Sequence, residues 1–205
     1  MKRCFIFGAL DVETLDYIPE DGDFIIAADR GFLNAEKFSL TPDIIIGDFD
    51  SLGFVPKGDN VTVLPVKKDD TDIGYAIKYA MGKGFKDFIV YGALGGLLDH
   101  TYANLQLAFY LSQKGGNVIF AGNGVYATAI TNSTLKISDG SGRISVFSIT
   151  EKSTGVTLKG LEYELNDAEL SNNFPLGVSN SFKEKCAEIS VKSGTIVVIS
   201  ERKFK

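Results

Sequence analysis

Two aspartates separated by one residue, Asp48 and Asp50, follow three consecutive isoleucines in the segment PDIIIGDFDSL at residues 42–52. The isoleucines indicate a buried strand, and in an extended chain residues two apart face the same side at a separation of about 7 Å. Both carboxylates would then enter one pocket. Magnesium prefers oxygen ligands and is commonly held by one or two carboxylates plus substrate phosphates. The motif predicts a hard-cation site, while a solvated acidic turn explains the same residue types about equally well.

A second acidic cluster, KKDDTD at residues 67–72, immediately precedes a helical pattern that begins near Ile73. A helix cap and the helix dipole would explain one or two of these residues. They do not explain three aspartates within four positions, which repel one another unless a cation or a lysine lies beside them. With Asp48 and Asp50, five carboxylates therefore follow two candidate strands. Chemistry on a polyphosphate, with metal ions neutralising charge, is the economical reason to gather them.

A glycine-rich junction between a strand and a helix lies in YGALGGLLDHTYANLQ, at residues 91–106. Gly95 and Gly96 would allow backbone N–H groups to approach an anion near the positive end of the helix. The segment is neither a P-loop nor a GxGxxG dinucleotide motif, so this signal is weak by itself.

Three polar residues of the same segment are candidate ligand contacts. Asp99 and Asn104 could bind a ribose or a phosphate, although helix capping and surface exposure explain them too. His100 is the only histidine. It could be a general base, but a lone histidine is more often structural and gives little support to a Ser-His-Asp triad.

The elements that must position these residues change character along the chain. Up to about residue 122, uninterrupted apolar runs alternate with helical spacing at residues 73–80 and 102–109. The runs are CFIFGAL, FIIAA, DIIIG, VTVLPV, DFIVYG and NVIFAG. Such runs are typical of strands buried on both faces. We therefore expect a doubly wound, mostly parallel α/β domain, with ligands beyond the carboxyl ends of its strands.

From about residue 130, short alternating segments rich in Thr, Ser and Val are separated by turn signals. The segments are TLKIS, RISVFSIT, GVTLKGLEYEL, CAEISVK and TIVVIS. They predict an all-β, sandwich-like domain. The chain thus divides into domains at residues 1–125 and 126–205, and the second is small enough that it should pack on the first or on another subunit.

Composition excludes several classes of protein. The 205 residues carry a net charge of −5, which argues against a nucleic-acid partner, because phosphate neutralisation needs a cationic face. No stretch approaches the roughly 20 apolar residues of a membrane helix, and the first apolar run is short for a signal peptide. Cys4 and Cys186 lack the paired spacing of zinc or redox sites and are predicted to be buried strand thiols. These features predict a soluble, cytoplasmic protein.

Four motifs in order resemble the thiamine pyrophosphokinase family. They are AADRG at 27–31, PDIIIGDFDS at 42–51, KDDTD at 68–72 and GALGGLLDHTYANL at 92–105. The segments GRISVFSIT, GLEYEL and GVSNSF resemble the thiamine-binding β domain of that family, so the likeness spans nearly the whole chain. It implies an ATP-binding catalytic domain at 1–125 and a thiamine-binding domain at 126–205. It also implies transfer of diphosphate from ATP to thiamine, giving thiamine diphosphate and AMP, in a homodimer with active sites at the subunit interface.

The resemblance also implies roles for individual residues. The expected catalytic residues are Asp48, Asp50, Asp72 and Asp99, and the expected Mg²⁺ ligands are Asp48, Asp50, Asp69 and Asp72. The expected nucleotide contacts are Asp29, Arg30, Ser51, Thr71, Gly95, Gly96, His100 and Asn104. Thiamine is expected to meet Tyr163, Ser179 and Asn180. An aromatic ring suits a cationic heterocycle, although core packing is the alternative for Tyr163.

The chain departs from the family pattern at two positions. Leu97 stands where the family usually has arginine, and Arg30 where glycine is common. Because arginine would neutralise phosphate charge there, we hypothesise that Arg30 or Lys68 supplies the missing cation. The alternatives are a related diphosphokinase acting on another hydroxymethyl heterocycle such as a pterin, a non-catalytic thiamine or nucleotide sensor, and a metal phosphohydrolase.

Overall fold

The computed structural model describes residues 2–204 and divides into two compact units. One unit holds the chain up to Asn104 together with Phe120–Asn123, and the other holds Leu105–Ile119 and the chain from Gly124 onward. The units alternate along the sequence, so the simple division at residue 125 stays a prediction. In the described part of the chain, no helix is long and apolar enough to cross a membrane.

The first unit is built on five parallel strands. They are β1 (Cys4–Phe7), β2 (Phe24–Ala28), β3 (Ile44–Gly47), β4 (Val61–Val63) and β5 (Asp87–Tyr91), in the order β5-β1-β2-β3-β4. Every residue of β1 and β3 is buried, as the uninterrupted apolar runs predicted. Because the strands are parallel, the segments that follow them emerge at one edge of the sheet.

Within residues 2–204, three helices accompany these strands: α1 (Gly31–Lys37), α2 (Asp72–Gly82) and α3 (Leu98–Gln113). The helical spacing predicted α2 and α3, whereas α1 spans only two turns and escaped prediction. Thr71 caps α2, because its Oγ1 accepts a hydrogen bond from the Gly74 N–H at 3.0 Å. The first residues of α3 belong to the first unit and the rest to the second.

The second unit contains two groups of antiparallel strands. After β6 (Asn117–Gly122), which is divided between the units, its strands are β7 (Val125–Thr131), β8 (Thr134–Ile137), β9 (Arg143–Ser148), β10 (Lys152–Lys159), β11 (Leu165–Ser171), β12 (Gly177–Ser181), β13 (Ala187–Ser190) and β14 (Thr195–Ser200). One group pairs in the order β12-β9-β14-β7 and belongs to the large sheet, and the other forms a separate sheet, β11-β10-β13-β8. The fold is therefore mixed α/β with a large sheet and a separate antiparallel sheet. The doubly wound and sandwich-like arrangements stay predictions.

Two predicted strands are shorter than the sequence indicated. The run VTVLPV is a strand only over Val61–Val63, since Pro65 has no N–H to continue a ladder. The run GVTLKGLEYEL breaks at Gly160, whose φ is 75°; after an isolated bridge between Leu161 and Phe182, the next strand begins at Leu165. A side chain at Gly160 would lie 2.1 Å from the Cys186 carbonyl oxygen, so the chain turns where only glycine fits.

The two cysteines have different surroundings. Cys4 is buried in β1, as predicted, and burial raises the pKa of its thiol. The prediction that Cys186 is a buried strand residue is wrong, because it is exposed and directly precedes β13. The apolar pattern of CAEISVK begins one residue later, at Ala187.

An ion pair near the start of the chain should make stability depend on pH. Arg3 donates from Nε and Nη2 to Asp23 Oδ2 at 3.0 and 2.6 Å. Burial raises the Asp23 pKa, but the hydrogen bonds from Arg3 outweigh it and hold this pKa below its usual value. We expect Asp23→Asn to lower the free energy of unfolding at pH 7 by about 1–3 kcal/mol.

The same pair gives this loss a pH signature. A carboxyl whose folded-state pKa is depressed stabilises the fold fully above its unfolded pKa of about 3.9, and the contribution disappears as the pH falls toward the folded value. Urea unfolding from pH 7 to pH 3 should therefore show wild type and Asp23→Asn converging below about pH 4. Asp59→Asn, at an exposed carboxylate, is the control. A constant difference across the series would contradict the assignment.

Candidate active site

A cavity of about 400 Å³ lies where the chain leaves the first four strands of the first unit. It is lined by Ala9, Ala28, Asp29, Asp48, Asp50, Ser51, Val66, Lys68, Asp70, Thr71, Asp72, Ile73, His100 and Asn104. This is the edge at which parallel sheets bind ligands. The structure thus brings together residues of four sequence motifs that are separate along the chain.

The Asp48–Asp50 segment reaches this cavity through a turn. Phe49 has φ 59° and is buried against Ala27 and Ile45. The prediction that the chain is extended from Asp48 to Asp50 is therefore wrong. The two carboxylates nevertheless line the same cavity, as that prediction required. The Asp48 carboxylate also accepts a hydrogen bond from the Asp50 N–H at 3.3 Å.

Asp29 completes a group of three carboxylates with Asp48 and Asp50. One oxygen from each lies within 4.8 Å of the others. Asp29 is buried, has φ 49° and lines the cavity. Its Oδ2 accepts a hydrogen bond from the Ser51 hydroxyl. Its Oδ1 is buried without a hydrogen-bond partner among residues 2–204.

Lys68 places a positive charge between two further carboxylates of the wall. Its Nζ lies 2.6 Å from Asp48 Oδ2 and 3.0 Å from Asp72 Oδ1. The hydrogen bond from Lys68 lowers the pKa of Asp48. Burial raises the pKa of Asp72 despite the opposing effect of Lys68. Burial lowers the pKa of Lys68, but the hydrogen bond to Asp48 and the ion pair with Asp72 outweigh it and the net shift is upward.

This donor set fits a divalent cation. Three carboxylates converge with no nitrogen or sulfur ligand among them, which is the chemistry that magnesium favours. The unpartnered Asp29 Oδ1 is the kind of buried polar atom that an ion would satisfy. Of the predicted ligands, Asp48, Asp50 and Asp72 line the cavity. Asp69 is exposed and is not among the described lining residues.

The glycine-rich segment contributes its helical part to the cavity. His100 and Asn104 line the wall, and the buried Asn104 donates from Nδ2 to the Ala93 carbonyl at 2.7 Å. Gly95 has φ 94° and its N–H donates to Thr101 Oγ1 at 3.2 Å. The Gly95 N–H, which we predicted could approach an anion, thus already donates a hydrogen bond within the protein.

Not every predicted nucleotide contact lies in the described cavity wall. Ser51 and Thr71 do, whereas Gly95, Gly96 and Arg30 do not, and Asp99, a predicted catalytic residue, is also absent from the described wall. Arg30 is exposed at the start of α1. Of the two cations hypothesised to replace the family arginine, Lys68 lines the cavity and Arg30 is not among the described lining residues.

In the second unit, Asn180 holds the segment that carries Tyr163. Asn180 is 3% exposed; its Oδ1 accepts from the Tyr163 N–H at 3.0 Å and its Nδ2 donates to the Tyr163 carbonyl at 2.7 Å. The Tyr163 side chain is 70% exposed, so core packing does not account for it. Both polar atoms of the Asn180 amide are engaged by backbone, so its geometry suits positioning of Tyr163.

Ser179, the neighbour of Asn180, lines a second cavity of about 190 Å³ in this unit. It adopts φ 57°, and its N–H donates to Ser145 Oγ at 3.0 Å. Arg143 and Glu201, which form an ion pair at 2.7 Å, line the same cavity.

Sequence reasoning missed one residue that shapes the first cavity. Asn34, in the unpredicted helix α1, is buried and binds three backbone groups of the segment after β1. Its Nδ2 donates to the carbonyls of Gly8 and Leu10 at 2.9 and 2.8 Å, and its Oδ1 accepts from the Val12 N–H at 3.1 Å. Asn34 thereby fixes both sides of Ala9, a wall residue. Nothing in GFLNAEK distinguishes this asparagine from a surface residue.

Comparisons with known proteins identify the family to which this chain is similar over both of its halves. Residues 15–120 match the family description "Thiamin pyrophosphokinase, catalytic domain", and residues 133–196 match "Thiamin pyrophosphokinase, vitamin B1 binding domain". The chain is 27% identical over 179 residues to a Caenorhabditis elegans protein named Thiamin pyrophosphokinase 1, which covers 82% of this chain and 73% of that protein. It is 24% identical over 189 residues to Thiamine pyrophosphokinase of Bacillus subtilis, with 85% of each covered.

Solved structures show the same fold. The crystal structure of thiamine pyrophosphokinase from Bacillus subtilis superposes with a TM-score of 0.85 at 20% identity, over 99% of this chain and 100% of that one. The structure from Geobacillus thermodenitrificans gives a TM-score of 0.83 at 21% identity, over 98% of both chains. With the catalytic-domain match spanning more than half of the sequence and the vitamin B1 domain following it, the chain belongs to the thiamin pyrophosphokinase family.

Proposed function

We propose that this protein transfers a diphosphate group from ATP to the hydroxyl of thiamine, yielding thiamine diphosphate and AMP. The observation that carries the proposal is the cavity at the strand ends, where Asp29, Asp48 and Asp50 converge and Lys68 bridges to Asp72. A triphosphate needs such a site, because its charge must be neutralised by cations that carboxylates can hold.

Asp48 and Asp50, with Asp29 beside them, would hold Mg²⁺ in this cavity. When bound, the ion would neutralise charge on the phosphate oxygens and help to orient them. We keep Asp69 as a proposed further ligand from the resemblance. Ser51 and Thr71 offer hydroxyl groups in the same wall, and His100 and Asn104 lie there as proposed nucleotide contacts.

The proposed reaction is an in-line attack by the thiamine hydroxyl on the β-phosphorus of ATP, with AMP as the leaving group. Holding the two substrates in line and neutralising charge would supply most of the rate enhancement. Asp50 or Asp72 is the proposed acceptor of the hydroxyl proton, since both carboxylates line the cavity. We also keep Asp99 as a proposed catalytic residue from the resemblance.

Thiamine is the proposed partner of Tyr163, Ser179 and Asn180 in the second unit. We expect Tyr163→Ala to raise the KM for thiamine by about tenfold while changing the KM for ATP less than twofold, because an exposed ring supplies about 1 kcal/mol or more toward a cationic heterocycle. Tyr163→Phe keeps the ring and is the matched control. Steady-state kinetics with each substrate varied in turn would test this, and an equal loss in both variants would remove the ring from the thiamine site.

The proposal includes a cytoplasmic homodimer with active sites at the subunit interface. Exposed apolar side chains of the second unit, including Phe174, Leu176 and Val178, support a protein contact there. Sedimentation at micromolar concentration should show a dimer, and a monomer would contradict this part of the proposal.

The decisive experiment follows AMP and thiamine diphosphate by chromatography, with ATP and MgCl₂ present and thiamine either added or omitted. Thiamine-dependent AMP with an equal amount of thiamine diphosphate would establish the reaction and show that Leu97 is tolerated. Phosphate release without thiamine would identify a phosphohydrolase. Binding of ATP and thiamine without product would identify a sensor, and product only with a hydroxymethyl pterin would identify another acceptor.

A further inference from the structure

We propose that Lys68 is an exchangeable internal cation, which holds Asp48 and Asp72 together when no metal is bound and competes with a divalent cation for Asp48. This inference rests on the proposed function only through the cation site and requires neither ATP nor thiamine.

The Lys68 ammonium is built into the cavity wall. The Lys68 side chain is 14% exposed, and the side chains of Asp48 and Asp72 are 10% and 24% exposed. Two carboxylates this poorly solvated would repel each other strongly without a cation between them. The lysine therefore compensates charge that the fold has gathered before any ligand arrives.

Asp48 belongs both to this ion pair and to the carboxylate group that fits a metal. Its Oδ2 lies 2.6 Å from Lys68 Nζ, while an Asp48 ligand atom lies within 4.8 Å of those of Asp29 and Asp50. A divalent cation placed among the three carboxylates would experience repulsion from the ammonium and would share its ligand with it. Lys68 should accordingly weaken metal binding.

The metal-binding group itself keeps an unsatisfied atom that Lys68 does not reach. Asp29 Oδ1 is buried and without a partner among the described residues, although the ammonium lies in the same cavity wall. Lys68 thus neutralises one side of the acidic cluster and leaves Asp29 Oδ1, on the other side, for a metal ion to satisfy.

The test measures Mg²⁺ binding by isothermal titration calorimetry on the full chain, without ATP or thiamine. We expect Lys68→Met to bind Mg²⁺ at least tenfold more tightly than wild type. The matched control is Lys192→Met, which removes the same charge from an exposed pair with Asp167 at 2.7 Å, outside the cavity lining. Solvent and salt screen that charge, so we expect an affinity change below about threefold.

Thermal unfolding gives a second readout, which a merely structural lysine would not produce. Without metal, Lys68→Met should melt at a lower temperature than wild type. Addition of about 5 mM MgCl₂ should raise the melting temperature of Lys68→Met more than that of wild type. Lys68→Gln, which keeps a donor to the carboxylates without the charge, serves if the methionine variant does not fold. It should also bind Mg²⁺ more tightly.

The inference would be overturned if the Lys68 variants bound Mg²⁺ with the same affinity as wild type, or more weakly. It would also be overturned if neither wild type nor any of the variants bound Mg²⁺. If wild type makes no thiamine diphosphate but the Lys68 variants still bind Mg²⁺ more tightly, only the proposed reaction is contradicted. If wild type is active but the Lys68 variants do not bind Mg²⁺ more tightly, only this inference is contradicted.

Discussion

Asp50→Asn is expected to reduce the rate of thiamine diphosphate formation by at least about a hundredfold, a loss of roughly 2.7 kcal/mol of transition-state stabilisation. Asp50 belongs to the three-carboxylate group, and an amide lacks the charge that makes its oxygen a strong ligand for a hard cation. The loss should appear in kcat at saturating ATP and thiamine, and the calorimetric affinity for Mg²⁺ should fall with it.

The stability of the same variant separates this role from a structural one. Asp50 is exposed and lies beside Asp29 and Asp48, so removing its charge relieves repulsion. We expect the melting temperature without metal to be unchanged or slightly higher. Asp59→Asn makes the same chemical change at an exposed carboxylate outside the cavity lining and should retain full activity. Near wild-type turnover of Asp50→Asn would remove Asp50 from the catalytic site.

The parts of the fold that depend on local pattern could be predicted from the sequence. Parallel strands that are buried on both faces have uninterrupted apolar runs in the sequence. The helices α2 and α3 show apolar residues at helical spacing because each has one buried side. The acidic motifs could also be placed at one edge, since parallel strands bring their carboxyl ends together. That reasoning correctly gathered Asp48, Asp50 and Asp72 in one cavity wall.

What the sequence could not predict depends on tertiary contacts. The left-handed φ of Phe49 is unusual for a bulky residue and is sustained by burial of its ring against Ala27 and Ile45. Lys68 was one of two candidate cations, and only the fold places its ammonium between Asp48 and Asp72. The hydrogen bonds between the Asn180 side chain and the Tyr163 backbone join residues 17 positions apart and leave no local sequence pattern.

Gly92→Ala is expected to lower the free energy of unfolding by about 3 kcal/mol or more, the range in which a strained φ and a backbone clash combine. Gly92 directly follows β5 and has φ 66°. An alanine Cβ there would lie 2.5 Å from the Gly8 carbonyl oxygen and 2.7 Å from that of Leu10. Both obstacles are backbone atoms that Asn34 also holds through hydrogen bonds, so they cannot move aside without breaking that network. Urea unfolding measures the loss.

Gly84→Ala separates the two causes, because Gly84 has φ 91° but nothing lies within 4 Å of the position that an alanine Cβ would take there. Strain alone should cost about 1 kcal/mol at this position, and equal losses in the two variants would show that the close approach at Gly92 is unimportant. The folded fraction of Gly92→Ala should also bind ATP more weakly, since Gly8 and Leu10 flank Ala9 in the cavity wall. Gly84→Ala should bind ATP normally. A close contact between two backbone segments thus links the stability of the sheet edge to the shape of the site built on it.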